Sequence, residues 1–253
     1  MMKATEILGI DFGGSGIKGA PVDIDSGKLM EERLRIETPQ PATPKAVADT
    51  IAQIAKHFKW KGKPIGVGFP AASRQGIILT ATNIDKSWIG VDANKLISEA
   101  TGCPTLVLND ADAAGIAEIK YGAGAENKGL AMMITVGTGI GTALFVKKRL
   151  VPNLEWGHIL MPNGKTGEQY AADRIRQEEN LNWDEWGKRF NEYLMLIEKL
   201  CYPSLFIIGG GVSKKMDQFK KQISISTPVV PAQLLNNAGI IGAAAAAKKL
   251  LRE

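Results

Sequence analysis

Two cysteines and two histidines in 253 residues leave little room for several kinds of chemistry. Cys103 and Cys201 stand far apart, each near an apolar segment, with no Cys-x-x-Cys pair and no His/Cys cluster anywhere. That argues against a disulfide framework and a structural zinc site, and both thiols read as buried and free. Aromatic residues are sparse at 6% and never interleave with a basic stretch, as a nucleic-acid strand groove requires. The net charge of +5 suits anionic ligands but is too small to indicate a nucleic-acid partner. No apolar run nears the length of a membrane span and no secretory leader is visible, so a cytoplasmic protein is expected. The remaining composition is that of an ordinary globular protein, long enough for one large domain or two modest ones.

What is abundant is glycine, and its placement carries the first signal. Gly14-Ser15-Gly16-Ile17-Lys18-Gly19 matches the G-x-G-x-x-G pattern of dinucleotide-binding proteins. In that fold the glycines must open a helix whose N-terminus holds the pyrophosphate. Here Pro21 falls where the helix interior would be, and Asp25-Ser26-Gly27 reads as a turn. The glycines therefore sit between two strands, and the dinucleotide reading fails on context. A ligand-free glycine hairpin is one alternative. The other is a phosphate loop, because Asp11 stands at the tip of the preceding strand and an acid beside an amide-rich turn suits a metal-bound phosphate.

Hydrophobic periodicity predicts strands over 4–11, 16–24 and 28–37, a helix over 44–58 with His57 on its surface, and a strand over 65–69. A helix near 92–101, capped by Asp92, and a strand over 105–108 follow, the latter running through Asn109-Asp110 into another helix. The order then partly restarts. A strand over 130–136 meets Gly137-Thr138-Gly139-Ile140-Gly141, and 142–146 returns. Helices are expected over 167–178 and 184–200, a strand over 204–208 ending in Gly209-Gly210-Gly211, a helical stretch over 213–219, and a closing alanine-rich helix over 238–251. Two glycine hairpins each opening a β-rich unit followed by helices match the plan of actin-like, sugar-kinase-like ATPases, in which both hairpins grip one phosphate chain across an interdomain cleft. The domains expected are 1–109, with the closing helix 238–253 returning to it, and 110–237.

Two further groups carry chemistry. Asn109-Asp110 sits at a strand's carboxyl end, where ligands gather in open α/β sheets. An aspartate there can take the proton of a sugar hydroxyl as it attacks a phosphoryl group, although both residue types also serve as helix N-caps. In Glu155-Trp156-Gly157-His158 an acid and an imidazole can bind vicinal hydroxyls, with Glu168 a further acceptor; a salt-linked surface turn is the alternative.

In order along the chain, "GIDFGGSGIKGAPVD", "LNDADAAGIAE", "TVGTGIGTAL", "LEWGH" and "LFIIGGGVS" resemble successive motifs of the ROK sugar kinases. "TATNIDKSWIGVD" and "VVPAQLLNNAGIIGAAAAA" resemble the polyphosphate glucokinase branch in particular. Relatives usually carry a cysteine-rich zinc motif where this chain has 159–167, which contains no cysteine. The resemblance implies a magnesium-dependent, zinc-free glucokinase with inorganic polyphosphate, or also ATP, as donor. An ATP-dependent kinase of mannose or an N-acetylated amino sugar is one alternative. A non-catalytic sugar-binding regulator is another, disfavoured because no helix-turn-helix precedes Ile7.

The same resemblance implies roles. Asp110 is the base; Asn83, Asn109, Glu155, His158 and Glu168 hold the sugar. Asp11 orients magnesium-bound phosphates. Gly13, Gly14, Ser15 and Lys18 form the first phosphate loop, and Gly137, Thr138 and Gly139 the second. Gly209 and Gly210 match the segment near the adenosine of ATP users. Lys214 and Lys215, with Lys220 and Lys221 beyond, offer a basic track for a long polyanion or merely a solvated helix face. A homodimer without nucleic-acid or membrane partners completes the expectation.

Overall fold

The computed structural model describes residues 5–82 and 84–251. It falls into two compact units, one the chain up to Ala117 together with the chain from Asn237, the other Glu118–Asn236.

In the first unit β1 (Glu6–Gly13) and β2 (Gly16–Asp23) form an antiparallel hairpin closed by Gly14 and Ser15. Short β3 (Lys28–Leu29) and β4 (Leu34–Ile36) both pair with β2. After α1 (Pro44–His57) come β5 (Ile65–Phe69), the small ribbon of β6 (Ser73–Arg74) with β7 (Ile77–Ile78), α2 (Ala93–Thr101), β8 (Thr105–Asn109) and α3 (Asp110–Tyr121). The sheet order is β3-β2-β1-β5-β8, with β1, β5 and β8 parallel. β5 is buried along its whole length, as a parallel strand covered on both faces must be. α1 starts on a Thr43 cap with Pro44 in its first turn, turns Val47, Ile51 and Ile54 inward, and leaves His57 exposed. Asp92 caps α2 through the amide of Lys95, as predicted.

The G-x-G-x-x-G stretch covers the hairpin turn and the start of β2, and Pro21 sits within β2 opposite Leu8. No helix follows it, so the pattern match is accidental. The predicted strand over 28–37 is two strands. Between the pairs Val22↔Leu29 and Gly19↔Leu34, β2 offers three steps and its partner has five. The two surplus residues loop out where Glu31 and Glu32 gain water.

The second unit repeats the plan. β9 (Leu130–Val136), β10 (Ile140–Val146) and β11 (Arg149–Val151) form an antiparallel meander, followed by α4 (Gly167–Ala171), α5 (Asp173–Glu178) and α6 (Trp183–Cys201). β12 (Leu205–Gly210), α7 (Met216–Phe219) and β13 (Val229–Pro231) close the unit. The order β11-β10-β9-β12-β13, with β9, β12 and β13 parallel, reproduces the five-strand path of the first sheet, which carries β4 in addition. β11 and β13, three residues each, are too short to leave a periodic signal, and neither was expected. The core is aromatic, with Trp186 stacked on Phe190 at 5.0 Å and edge-on to Phe219 at 4.8 Å. Trp186→Ala there costs about 3–5 kcal/mol. Cys103 is buried and free, whereas Cys201, in the last turn of α6, is only partly buried.

The helix predicted over 167–178 breaks at Ala172, whose ψ of 153° ends α4 and starts α5. The expected helix over 213–219 is a tight 3-10 stretch from Gly211 to Lys215 and one turn of α7.

The closing segment returns to the first unit as α8 (Ala238–Ala246), continued by a 3-10 turn over Ala247–Leu251. α8 is apolar on all sides and lies against the sheet at backbone distance. A Cβ on Gly9 would sit 2.0 Å from the Ile240 carbonyl oxygen, and one on Gly66 1.9 Å from that of Ala243. Only glycine permits that approach. Among the described residues no helix is long and apolar enough to cross a membrane.

Candidate active site

In the first unit the candidate residues gather at the carboxyl ends of β1, β5 and β8. Asp11 pairs across the hairpin with Lys18, Nζ to Oδ2 3.3 Å, both side chains about a quarter exposed. Asp11 lies beside Gly68 in the neighbouring strand, and the head of α3 packs closely there: a Cβ on Gly68 would meet the Ala113 Cβ at 3.3 Å and the Asp110 Cα at 3.7 Å. The Asn109 side chain caps α3, accepting from the amides of Ala111 at 2.8 Å and Asp112 at 3.1 Å. The Asn109 side chain therefore supplies the helix cap, and Asp110 follows it as the first helical residue, its Oδ1 accepting from the Ala111 amide at 2.8 Å.

The hairpin tip beside them is built for clearance. Gly14 has no left-handed φ, and a Cβ there would meet nothing within 4 Å. Neither conformation nor packing requires glycine at this position. It lies at the rim of an open cavity of about 270 Å³ that also reaches Thr38, Gln40 and Asp85. Thr38 donates to the Gly13 carbonyl at 2.6 Å, and Arg35 donates to that of Ser15 at 2.6 Å. Asn83 lies outside the described residues.

In the second unit the other candidates surround the tip of the β9–β10 hairpin. Gly137 repeats the Gly14 pattern, with no left-handed φ and nothing within 4 Å of where a Cβ would stand. Glu168, near the start of α4, accepts from the Ile140 amide at 3.1 Å, and a Cβ on Gly139 would lie 2.2 Å from its Oε2. The turn Trp156–His158 rests on β10, since a Cβ on Gly157 would meet the Ile140 carbonyl oxygen at 2.1 Å. It exposes Glu155 and His158, and the His158 amide donates to the Glu155 carbonyl at 3.0 Å. Tyr193 supports the turn from below, donating to the Trp156 carbonyl at 3.2 Å. Its complete burial, helped by the nearby Glu168 charge, raises the phenol's pKa far above the usual range and keeps that donor protonated. Gly209 and Gly210 form the end of β12 next to Thr135 and Val136. Lys214 and Lys215 are exposed at the end of the following 3-10 stretch. Lys220 and Lys221 lie farther on and engage acids, Asp217 at 2.7 Å and Asp184 at 3.0 Å.

Sequence reasoning missed three residues that hold the loops: Thr38, Arg35 and Arg174. The last donates from its amide to the Gly137 carbonyl and from Nε to that of Thr138, both at 3.2 Å. None belongs to a motif, and Arg174 reaches the loop only because the chain breaks at Ala172.

Two units of one strand order, each with a glycine hairpin at the tip of its first two strands, define the actin-like ATPase fold of sugar kinases. The chain belongs to the ROK family, whose model matches residues 7–174. A polyphosphate glucokinase of Mycobacterium tuberculosis is 48% identical over 240 residues, 94% of this chain and 90% of that protein. The crystal structure of an inorganic polyphosphate/ATP-glucomannokinase from Arthrobacter sp. strain KM matches with a TM-score of 0.91 at 44% identity, covering 97% of this chain and 99% of that one. A ROK family glucokinase from Streptomyces griseus, solved with glucose and AMPPNP, matches with a TM-score of 0.82 at 25% identity, covering 96% and 99%.

Proposed function

We propose that the protein is a polyphosphate glucokinase, transferring the terminal phosphoryl group of inorganic polyphosphate, and also of ATP, to the 6-hydroxyl of glucose. The observation that carries the chemistry is the placement of Asp110 at the carboxyl end of β8, directly after Asn109, whose side chain supplies the cap of α3. The 48% identity to a polyphosphate glucokinase supports the choice of donor and acceptor.

In this reading the Asp110 carboxylate takes the proton of the 6-hydroxyl as that oxygen bonds to the terminal phosphorus. The bond from phosphorus to the bridging oxygen breaks, and the donor leaves one phosphate shorter. Asn109, Glu155, His158 and Glu168 hold the sugar hydroxyls. The exposed amides of both glycine hairpins receive phosphate oxygens, and Lys214 and Lys215 guide the remainder of a long donor.

Phosphoryl transfer of this kind needs a divalent cation, which neutralises charge on the donor when bound. Among the described residues no group of three or more His, Cys, Asp or Glu side chains could hold a metal by itself. Asp11, a single hard carboxylate at the loop, fits magnesium held chiefly by donor phosphates and water. The reading extends to a cytoplasmic homodimer.

The test is glucose phosphorylation with polyphosphate and with ATP, side by side, in magnesium. Activity with ATP and none with polyphosphate rules out the donor; turnover with neither rules out the kinase. Mannose belongs in the same panel, because the Arthrobacter relative is a glucomannokinase.

A further inference from the structure

We propose that Arg174 is a positioning residue that presets the second hairpin for the donor's phosphate. The proposal rests on the reading of Gly137–Gly139 as a donor loop.

Every carbonyl of that loop is committed. The Gly137 oxygen accepts from the Arg174 amide at 3.2 Å and the Thr138 oxygen from Arg174 Nε at 3.2 Å. The Gly139 oxygen accepts from the Gly137 amide at 3.0 Å. The Ile140 amide is taken by Glu168 at 3.1 Å. That leaves the amides of Thr138 and Gly139, which have no acceptor among the described residues.

A trans peptide points its carbonyl and the following N–H in opposite directions. One residue pulls the carbonyls of Gly137 and Thr138 to its own side, so the amides of Thr138 and Gly139 face the other way together. Two successive amides turned to one side present a concave site for an anion. Gly137 adds clearance, since no side chain stands within 4 Å of where its Cβ would be. Arg174 thus acts through the backbone and from behind, while its other guanidinium edge lies 3.6 Å from Glu178 at the surface. The backbone bond to Gly137 survives any substitution, and the Nε bond to Thr138 does not. Without that bond the Thr138–Gly139 peptide is free to rotate, and binding must then fix it. Thr38 holds the Gly13 carbonyl of the first hairpin at 2.6 Å in the same sense, turning the Gly14 amide away.

The experiment compares Arg174→Ala, Glu178→Gln and Gly137→Ala with the parent enzyme, reading donor KM, glucose KM and melting temperature. Arg174→Ala is expected to raise the KM for both polyphosphate and ATP by about tenfold, the worth of one charge-assisted hydrogen bond. Glucose KM and melting temperature stay within error, and Glu178→Gln leaves donor KM at the parent value. A donor KM unchanged in Arg174→Ala but raised in Gly137→Ala overturns the role of Arg174 and leaves the loop reading intact. Donor KM unchanged in both overturns the loop reading as well. A parallel rise in glucose KM with a lowered melting temperature, or an equal effect of Glu178→Gln, assigns Arg174 to general stability and overturns the proposal.

Discussion

Gly14→Ala separates a glycine kept for its ligand from one kept for the fold. The residue has no left-handed φ, and a Cβ would meet nothing within 4 Å. In the isolated protein the substitution therefore introduces neither strain nor clash. It removes freedom from the unfolded chain, which stabilises by about 0.4–1 kcal/mol. For a chain of this size that is a rise in melting temperature of about 1–4 °C. If the loop holds the donor as proposed, the methyl group occupies the space into which a phosphate oxygen must come to reach the loop amides. A displacement of roughly 1 Å there costs on the order of 10²-fold in turnover efficiency with the donor. Gly9→Ala is the contrast, because its Cβ would fall 2.0 Å from the Ile240 carbonyl oxygen. Overpacking of that kind costs about 1–3 kcal/mol or more and has no reason to select against the donor. Differential scanning calorimetry and donor saturation curves at fixed, saturating glucose read both variants. A Gly14→Ala enzyme that melts lower than its parent, or saturates with donor at the parent concentration, refutes the reasoning.

Asp110→Asn is expected to keep the fold, since Asn109 carries the helix cap, and to lower kcat by roughly 10²–10⁴-fold with glucose binding retained; near-parent kcat returns Asp110 to a capping role. The Lys214→Ala, Lys215→Ala double variant is expected to raise the KM for long polyphosphate, flatten its dependence on ionic strength and leave glucose KM alone. Unchanged salt dependence in polyphosphate titrations places the basic track elsewhere.

Most of the fold could be read from the chain because its signals are local. Asp92 before α2, Pro44 opening α1 and the apolar runs of β5 and β9 each announce an element within a few residues. The G-x-G-x-x-G match was rejected on the same ground, by Pro21. What escaped depends on partners distant in sequence. β13 exists because β12 offers an edge, with Phe206 paired to Val229. The break at Ala172 has no proline or glycine to mark it and follows from how α4 and α5 settle around the hairpin. The candidate site residues could be proposed from their type and motif, whereas the residues that hold their loops in place could not. Arg174 lies 36 positions from the carbonyl its side chain holds, and Arg35 lies 20 from its own. No spacing rule connects such pairs.

The return of α8 also sets a timetable for synthesis. The sheet of the first unit is made early, but the helix that covers β1 and β5 through Gly9 and Gly66 is not translated until all of Glu118–Asn236 has been made. At ordinary translation speeds the wait is on the order of ten seconds. Until then the sheet displays an uncovered apolar face, while the second unit, continuous in sequence, already has everything its own core needs. The second unit is thus expected to mature first, reversing the usual N-to-C order. Brief proteolysis of ribosome-stalled chains reads this directly: chains that end at Asn236 and are carried clear of the exit tunnel by an added flexible linker are cut between β1 and β8 and spared between β9 and β13, and equal protection of both stretches contradicts it.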